Sequence, residues 1–144
     1  MRVLIQRTEN ASVTVEDKAV GSIIHGLVVF VGFTETDSIE TIKWMAKKVL
    51  NLRIFPDENE VMNKSLLDVG GSILSISQFT LYADTSKGNR PSYVNALGGN
   101  EAVKLYELFN EELMKSVVVE TGVFGADMNV EIHNIGPTTI LLER

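Results

Sequence analysis

Ser77-Gln78-Phe79-Thr80 sets two hydroxyls and an amide side by side, a group that can hold an ester or orient the oxygen that attacks it. Read as strand, alternate residues share a face, so Gln78 and Thr80 point one way while Ser77 and Phe79 point the other. A hydroxyl nucleophile needs a base within hydrogen-bond reach. The chain has two histidines to offer, His25 and His133. His25 precedes Gly26 where a turn is expected, and His133 shares a strand face with Asn129 and Glu131, as a surface residue would. Neither reads as a partner for Thr80. No H-E-x-x-H, G-x-S-x-G, Walker loop or G-x-G-x-x-G occurs. The chain has no cysteine, which excludes thiolate nucleophiles, zinc knuckles and iron–sulfur ligation together. No metal or other cofactor is expected. A hydrolase with this inventory must work by positioning, by backbone groups and by a group on its substrate.

A second stretch, "NIGPTT" at 134–139, stands between "MNVEIH" and "ILLER", both strand-like. Proline has no amide hydrogen for a ladder, and glycine gives up packing in a strand, so Gly136-Pro137 must break the pairing or do something else. A turn or β-bulge between two strands is one reading. The other is a cis X-Pro unit whose two carbonyls point the same way and accept hydrogen bonds from an ammonium group, with no glycine side chain to obstruct the ligand.

The elements that must position these residues follow from periodicity. "RVLIQR" alternates, with Val3 and Ile5 on one face, and "SVTVEDKAVGSI" reads as a hairpin around Glu16, Asp17 and Lys18. "GLVVFVGF" is a continuous apolar run, a strand covered on both faces by the domain's own helices or by a partner subunit. Residues 37–51 read as a helix, with Asp37 and Glu40 at capping-box spacing and Ile39, Ile42, Met45, Ala46 and Val49 at helical intervals. A second helix is expected over 100–116, with Asn100 as N-cap and Ala102, Leu105, Phe109 and Leu113 as its apolar stripe. "GSILSISQFTLYAD" reads as one long strand, and "MNVEIH" and "TTILLER" as two more. No linker or repeat divides the 144 residues, which predicts one α+β domain over 1–144, with a largely antiparallel, barrel-like sheet and two main helices.

The net charge of −6 argues against nonspecific coating of nucleic acid, which depends on many cationic contacts to phosphate. Arg2, Arg7, Arg53, Lys87 and Arg90 are candidates for a local basic patch, and taken singly each reads as solvated surface charge. The longest apolar run is far below the about 18 residues that span a bilayer, so no membrane segment is expected and the protein is expected in the cytoplasm.

"SQFTLYAD" at 77–84 together with "NIGPTT" resembles the paired signatures of the D-aminoacyl-tRNA deacylase (D-tyrosyl-tRNA deacylase) family. "MRVLIQR", "LRIFPDE", "MNKSLLDVGG", "KGNRPSY" and "TGVFGADM" are similar to family blocks and stand in family order, so the likeness runs from end to end. Ile135 departs from it, standing where an aspartate is common. The resemblance implies hydrolysis of the ester joining a D-amino acid to the terminal adenosine of tRNA, and of glycine mischarged on tRNA for alanine. It also implies a homodimer with active sites at the subunit interface, the Gly136-Pro137 unit of one subunit lying beside Ser77–Thr80 of the other. Carried over by motif position, the site comprises Ser77, Gln78, Phe79 and Thr80 with Ala102, Phe124, Gly136 and Pro137. Either Thr80 attacks directly, or the ribose 2′-hydroxyl activates a water while amides around Phe79 and Thr80 stabilise the oxyanion. The lack of a base favours the second. A noncatalytic dimer that binds a small amine or amino acid is the alternative from another class.

Overall fold

The computed structural model describes residues 1–144. The strands are β1 (Arg2–Val15), β2 (Lys18–Ile23), β3 (Gly26–Gly32), β4 (Phe55–Pro56), β5 (Met62–Lys64), β6 (Ser72–Ser77), β7 (Val119–Thr121) and β8 (Asn129–Glu143). The helices are α1 (Ile39–Asn51), α2 (Leu66–Val69) and α3 (Gly99–Met114), with a 3₁₀ turn at Phe79–Tyr82. No helix is long and apolar enough to cross a membrane.

The long strand β1 organises the sheet. Along one edge it pairs antiparallel with β8; along the other it pairs first with β3 and then with β2. From β3 the sheet continues in parallel through β6 to β7. It nearly closes on itself, because β2 comes back against β7: a Cβ on Gly21 would stand 3.0 Å from the Thr121 carbonyl. The sheet is therefore barrel-like, antiparallel around β1 and parallel across β3, β6 and β7.

Both faces of β3 are covered within the chain, which explains its unbroken apolar run. Leu27, Val29 and Val31 meet Val3, Ile5, Ile73 and the helices on one side, while Val28 joins Ala11, Val13, Ile23, Leu74 and Ile76 on the other. Along β1, Val3 and Ile5 join the first of these clusters and Ala11 and Val13 the second, and between the two pairs the register against β8 shifts, at Gln6/Thr8 and again at Thr8/Ala11. Helix α1 buries Ile42, Met45, Ala46, Val49 and Leu50, and α3 buries Ala102, Tyr106, Phe109, Asn110 and Leu113.

Several boundaries differ from expectation. The N-cap of α1 is Ser38, whose side chain accepts from the Thr41 N–H, and Ile39 is exposed. Asp37 is diverted to the buried Met1 ammonium at 2.5 Å, and accepts from the Thr34 N–H as well. A charged pair sealed from water binds that carboxylate more strongly than a cap would. Helix α3 opens at Gly98 without a side-chain cap, so Asn100 lies in its first turn. "MNVEIH" and "TTILLER" belong to one strand, β8, which stays paired to β1 on either side of the Gly136-Pro137 interruption.

Candidate active site

The strand expected to run through "SQFTLYAD" ends at Ser77. Its end is set by a nonlocal cause: the Gln78 N–H is taken by the Val31 carbonyl, and residues 79–82 coil back over β3 as the 3₁₀ turn. Gly32 makes room for this, since a Cβ there would come within 2.9 Å of the Gln78 carbonyl and 3.2 Å of Leu81. Gln78 and Thr80 thus meet across a turn rather than along a strand face. The Gln78 amide hydrogen-bonds the Thr80 hydroxyl. The N–H groups of Phe79 and Thr80, at the opening of the turn, take part in no loop or cap bond, as is usual for the first donors of a helical turn.

Beside this turn, at the carboxyl ends of parallel strands β3 and β6, lies a cleft of about 590 Å³. Val31, Gly32, Ile76, Ser77, Gln78 and Phe79 form one wall. Ala102 of α3 and Phe124 face them, while Met128 and Val130 continue the apolar lining. Ala102 is only 7% exposed, and a larger side chain there would have to extend into the cleft. Tyr106 fixes α3 against β6: its buried hydroxyl donates to the Ser75 carbonyl at 2.7 Å, and burial raises its pKa. Its ring packs against Phe124, 5.8 Å between centroids.

Five of the eight site residues expected from sequence, Ser77, Gln78, Phe79, Ala102 and Phe124, line this cleft. Thr80, hydrogen-bonded to Gln78, does not line it, and neither do Gly136 and Pro137. Tyr93 and Asp127 line the cleft without having been expected there. They sit on loops, in blocks whose surroundings carry no periodic signal, and only the topology brings them to β6. Neither histidine is in the cleft: His25 packs its ring on Phe55, and exposed His133 lies 3.5 Å from Glu9.

Gly136-Pro137 occupies an excursion of β8. Gln6 pairs with Thr139 and Thr8 with Asn134, so residues 135–138 all stand opposite Arg7 alone. The Gly136-Pro137 bond is cis, with Gly136 at φ 107°, and both residues are exposed. The Asn134 amide closes the excursion by donating to the carbonyls of Arg7 and Thr138 at 2.9 and 3.1 Å. Arg7, read singly as a surface charge, is instead packed beneath it. Its guanidinium donates to the Ile54 carbonyl at 2.6 Å and to the Ile135 carbonyl at 3.4 Å, and a Cβ on Gly136 would lie 3.0 Å from it. Alternation from Val3 and Ile5 carries this signal, because it puts Arg7 on the core side of β1.

The cleft can therefore take an apolar or mixed ligand beside a turn with open N–H donors, but it offers no histidine, thiol or metal-ligand cluster. The sequence from residue 4 to residue 143 matches the family model described as D-Tyr-tRNA(Tyr) deacylase. A D-aminoacyl-tRNA deacylase of Listeria monocytogenes serotype 4a (strain HCC23) is 58% identical over 144 residues, covering 99% of this chain and 95% of that protein. One from Clostridium botulinum (strain Langeland) is 54% identical, covering 99% and 97%. A solved structure of a c-Myc DNA unwinding element binding protein superposes with TM-score 0.95 at 38% identity, covering 100% of this chain and 99% of that one. A probable eukaryotic D-amino acid tRNA deacylase shares the fold at TM-score 0.84 and 19% identity, covering 98% and 97%. The end-to-end match of sequence and fold establishes that this chain belongs to the D-Tyr-tRNA(Tyr) deacylase family.

Proposed function

We propose that the protein hydrolyses the ester of D-aminoacyl-tRNA in this cleft, releasing the free D-amino acid and tRNA, as a homodimer in the cytoplasm. The observation that carries the reading is a division of labour. Each chain has a cleft without the Gly136-Pro137 unit and presents that unit, exposed and braced, elsewhere on its surface. A second copy that lends its own unit to the cleft completes both sites at once, as a two-fold interface does.

Backbone carbonyls at 136 and 137 then hold the substrate's amino group and fill the space that an L side chain would need. Selection rests on configuration and ignores what the side chain is, so many D-amino acids are accepted. Glycine has no side chain to exclude, and glycine mischarged on tRNA for alanine is hydrolysed too. The attacking water is activated by the ribose 2′-hydroxyl, while the N–H groups of Phe79 and Thr80 stabilise the oxyanion. Thr80 is a poor nucleophile here because its side-chain partner is a neutral amide.

The test is release of amino acid from D-tyrosyl-, L-tyrosyl- and glycyl-tRNA by the purified protein without added metal. Rapid release from the D and glycyl esters with the L ester spared is expected. Equal hydrolysis of D and L esters, or retention of the D ester without release, contradicts the proposal.

A further inference from the structure

The cleft lining has two unlike sides. Asp127 belongs to one, and the shallow groove that shares it and Met128 with the cleft is lined by Glu16 and Asp17 as well, so three carboxylates gather there. Outside that groove, Phe79 and Tyr93 line the cleft and meet edge to face, 5.0 Å between centroids, and remain 56% and 39% exposed. No hydrogen bond engages the Tyr93 hydroxyl in this chain.

Tyr93 follows directly on a pinned loop. Asp84 and Ser92 exchange both backbone hydrogen bonds, at 2.8 and 2.9 Å, and close the segment between them. Residues 85–95 carry Lys87 and Arg90 and no carboxylate, in a chain whose net charge is −6. Both cations are exposed, and neither enters any of the ion pairs of the fold. The remaining charge at the loop's base, Asp84, is engaged by the Ser86 N–H, which lowers its pKa.

We infer that this side of the cleft is a second binding site, for the single-stranded nucleotides that precede the esterified adenosine, with Tyr93 as base platform and Lys87 and Arg90 as phosphate contacts. The inference rests on the deacylase reading above and extends it. With the ester seated by Ser77–Phe79, the polynucleotide must leave over one side of the cleft, and the carboxylate side repels its phosphates. Exposed aromatic faces stack on any base, and cations nearby follow the backbone, the combination used for single strands without sequence readout. Tyr93 is thus a specificity residue for polymer over monomer ester.

Two substrates that differ only beyond the terminal nucleoside test this: D-tyrosyl-tRNA and D-tyrosyl-adenosine. The double variant K87Q/R90Q should lose about tenfold in kcat/KM on the tRNA ester at moderate salt, with the adenosine ester unaffected. Its plot of log kcat/KM against log salt should be flatter by roughly 1.4, at about 0.7 per single-strand phosphate contact. Tyr93→Ala should lose more on the tRNA ester than on the adenosine ester, and Tyr93→Phe should recover the difference. As a control for net charge, K43Q/K47Q removes the same charge from α1 and should leave the tRNA ester near wild type. If K87Q/R90Q affects both esters alike, or K43Q/K47Q matches it on tRNA, the second site is refuted while the deacylase reading stands. If the wild-type protein cleaves neither ester, the deacylase reading fails first and this inference falls with it.

Discussion

Thr80 carries the hydroxyl that invites a nucleophile's role, and its setting argues against one. Its side chain is joined to the Gln78 amide and does not line the cleft. Thr80→Ala should therefore keep kcat within about tenfold of wild type, whereas removal of a true nucleophile costs on the order of 10⁵ or more; single-turnover hydrolysis of D-tyrosyl-tRNA separates the two. Arg7 has the opposite character, a side chain that touches no ligand yet holds the backbone that would. Its fork spans the carbonyls of Ile54 and Ile135, a geometry that the point charge of lysine cannot reproduce. In Arg7→Lys the Gly136-Pro137 backbone should shift, with a loss on the order of a hundredfold in D-ester hydrolysis and a thermal unfolding midpoint close to wild type. Full activity in Arg7→Lys would mean that the excursion holds itself. Arg7 was legible in part: its parity with Val3 and Ile5 marks a core-side position, but only the paired strands reveal what a buried guanidinium there would bind.

Among the elements, those with a strong period read correctly from sequence. The stripe of α1 from Ile42 to Val49, though not Ile39 at its start, and the unbroken apolar run of β3 match their burial in the fold. The failures have one physical cause, a local signal overruled by a distant partner. "SILSISQFTLY" continues like a strand past Ser77, and nothing local announces that Gly32 lets the chain turn over β3 there. Asp37 has the type and spacing of a cap, and the Met1 ammonium claims it instead. That pair joins the start of β1 to the start of α1, with both side chains almost fully buried. Asp37→Ala leaves the sealed ammonium without a counter-ion, with only the Arg144 carbonyl, 2.7 Å away, to accept from it, and should cost about 3–5 kcal/mol, measured by urea unfolding. A change below about 1 kcal/mol would show that water reaches the pair and that it contributes no more than a surface one.

At the scale of the whole molecule the sequence motifs identify the family, and the fold explains why two motifs some sixty residues apart can belong to one site without touching in one chain. "SQFTL" lines the cleft and "NIGPTT" forms an exposed excursion of β8 outside it. Topology, which periodicity cannot convey, separates them. In the proposed homodimer a second protomer reunites them, and complementation between two inactive variants tests this directly. Ala102→Phe fills the cleft but leaves the excursion intact. Gly136→Ala disturbs the excursion, where a Cβ meets Thr138 at 2.7 Å and Arg7 at 3.0 Å, but leaves the cleft intact. After mixing and subunit exchange, half of the dimers are mixed, and each of these has one site with both parts sound. Activity should therefore rise from near zero to about a quarter of wild type. If the mixture stays as inactive as its components while exchange is verified by mass, the cleft and the Gly136-Pro137 unit do not act across the two protomers.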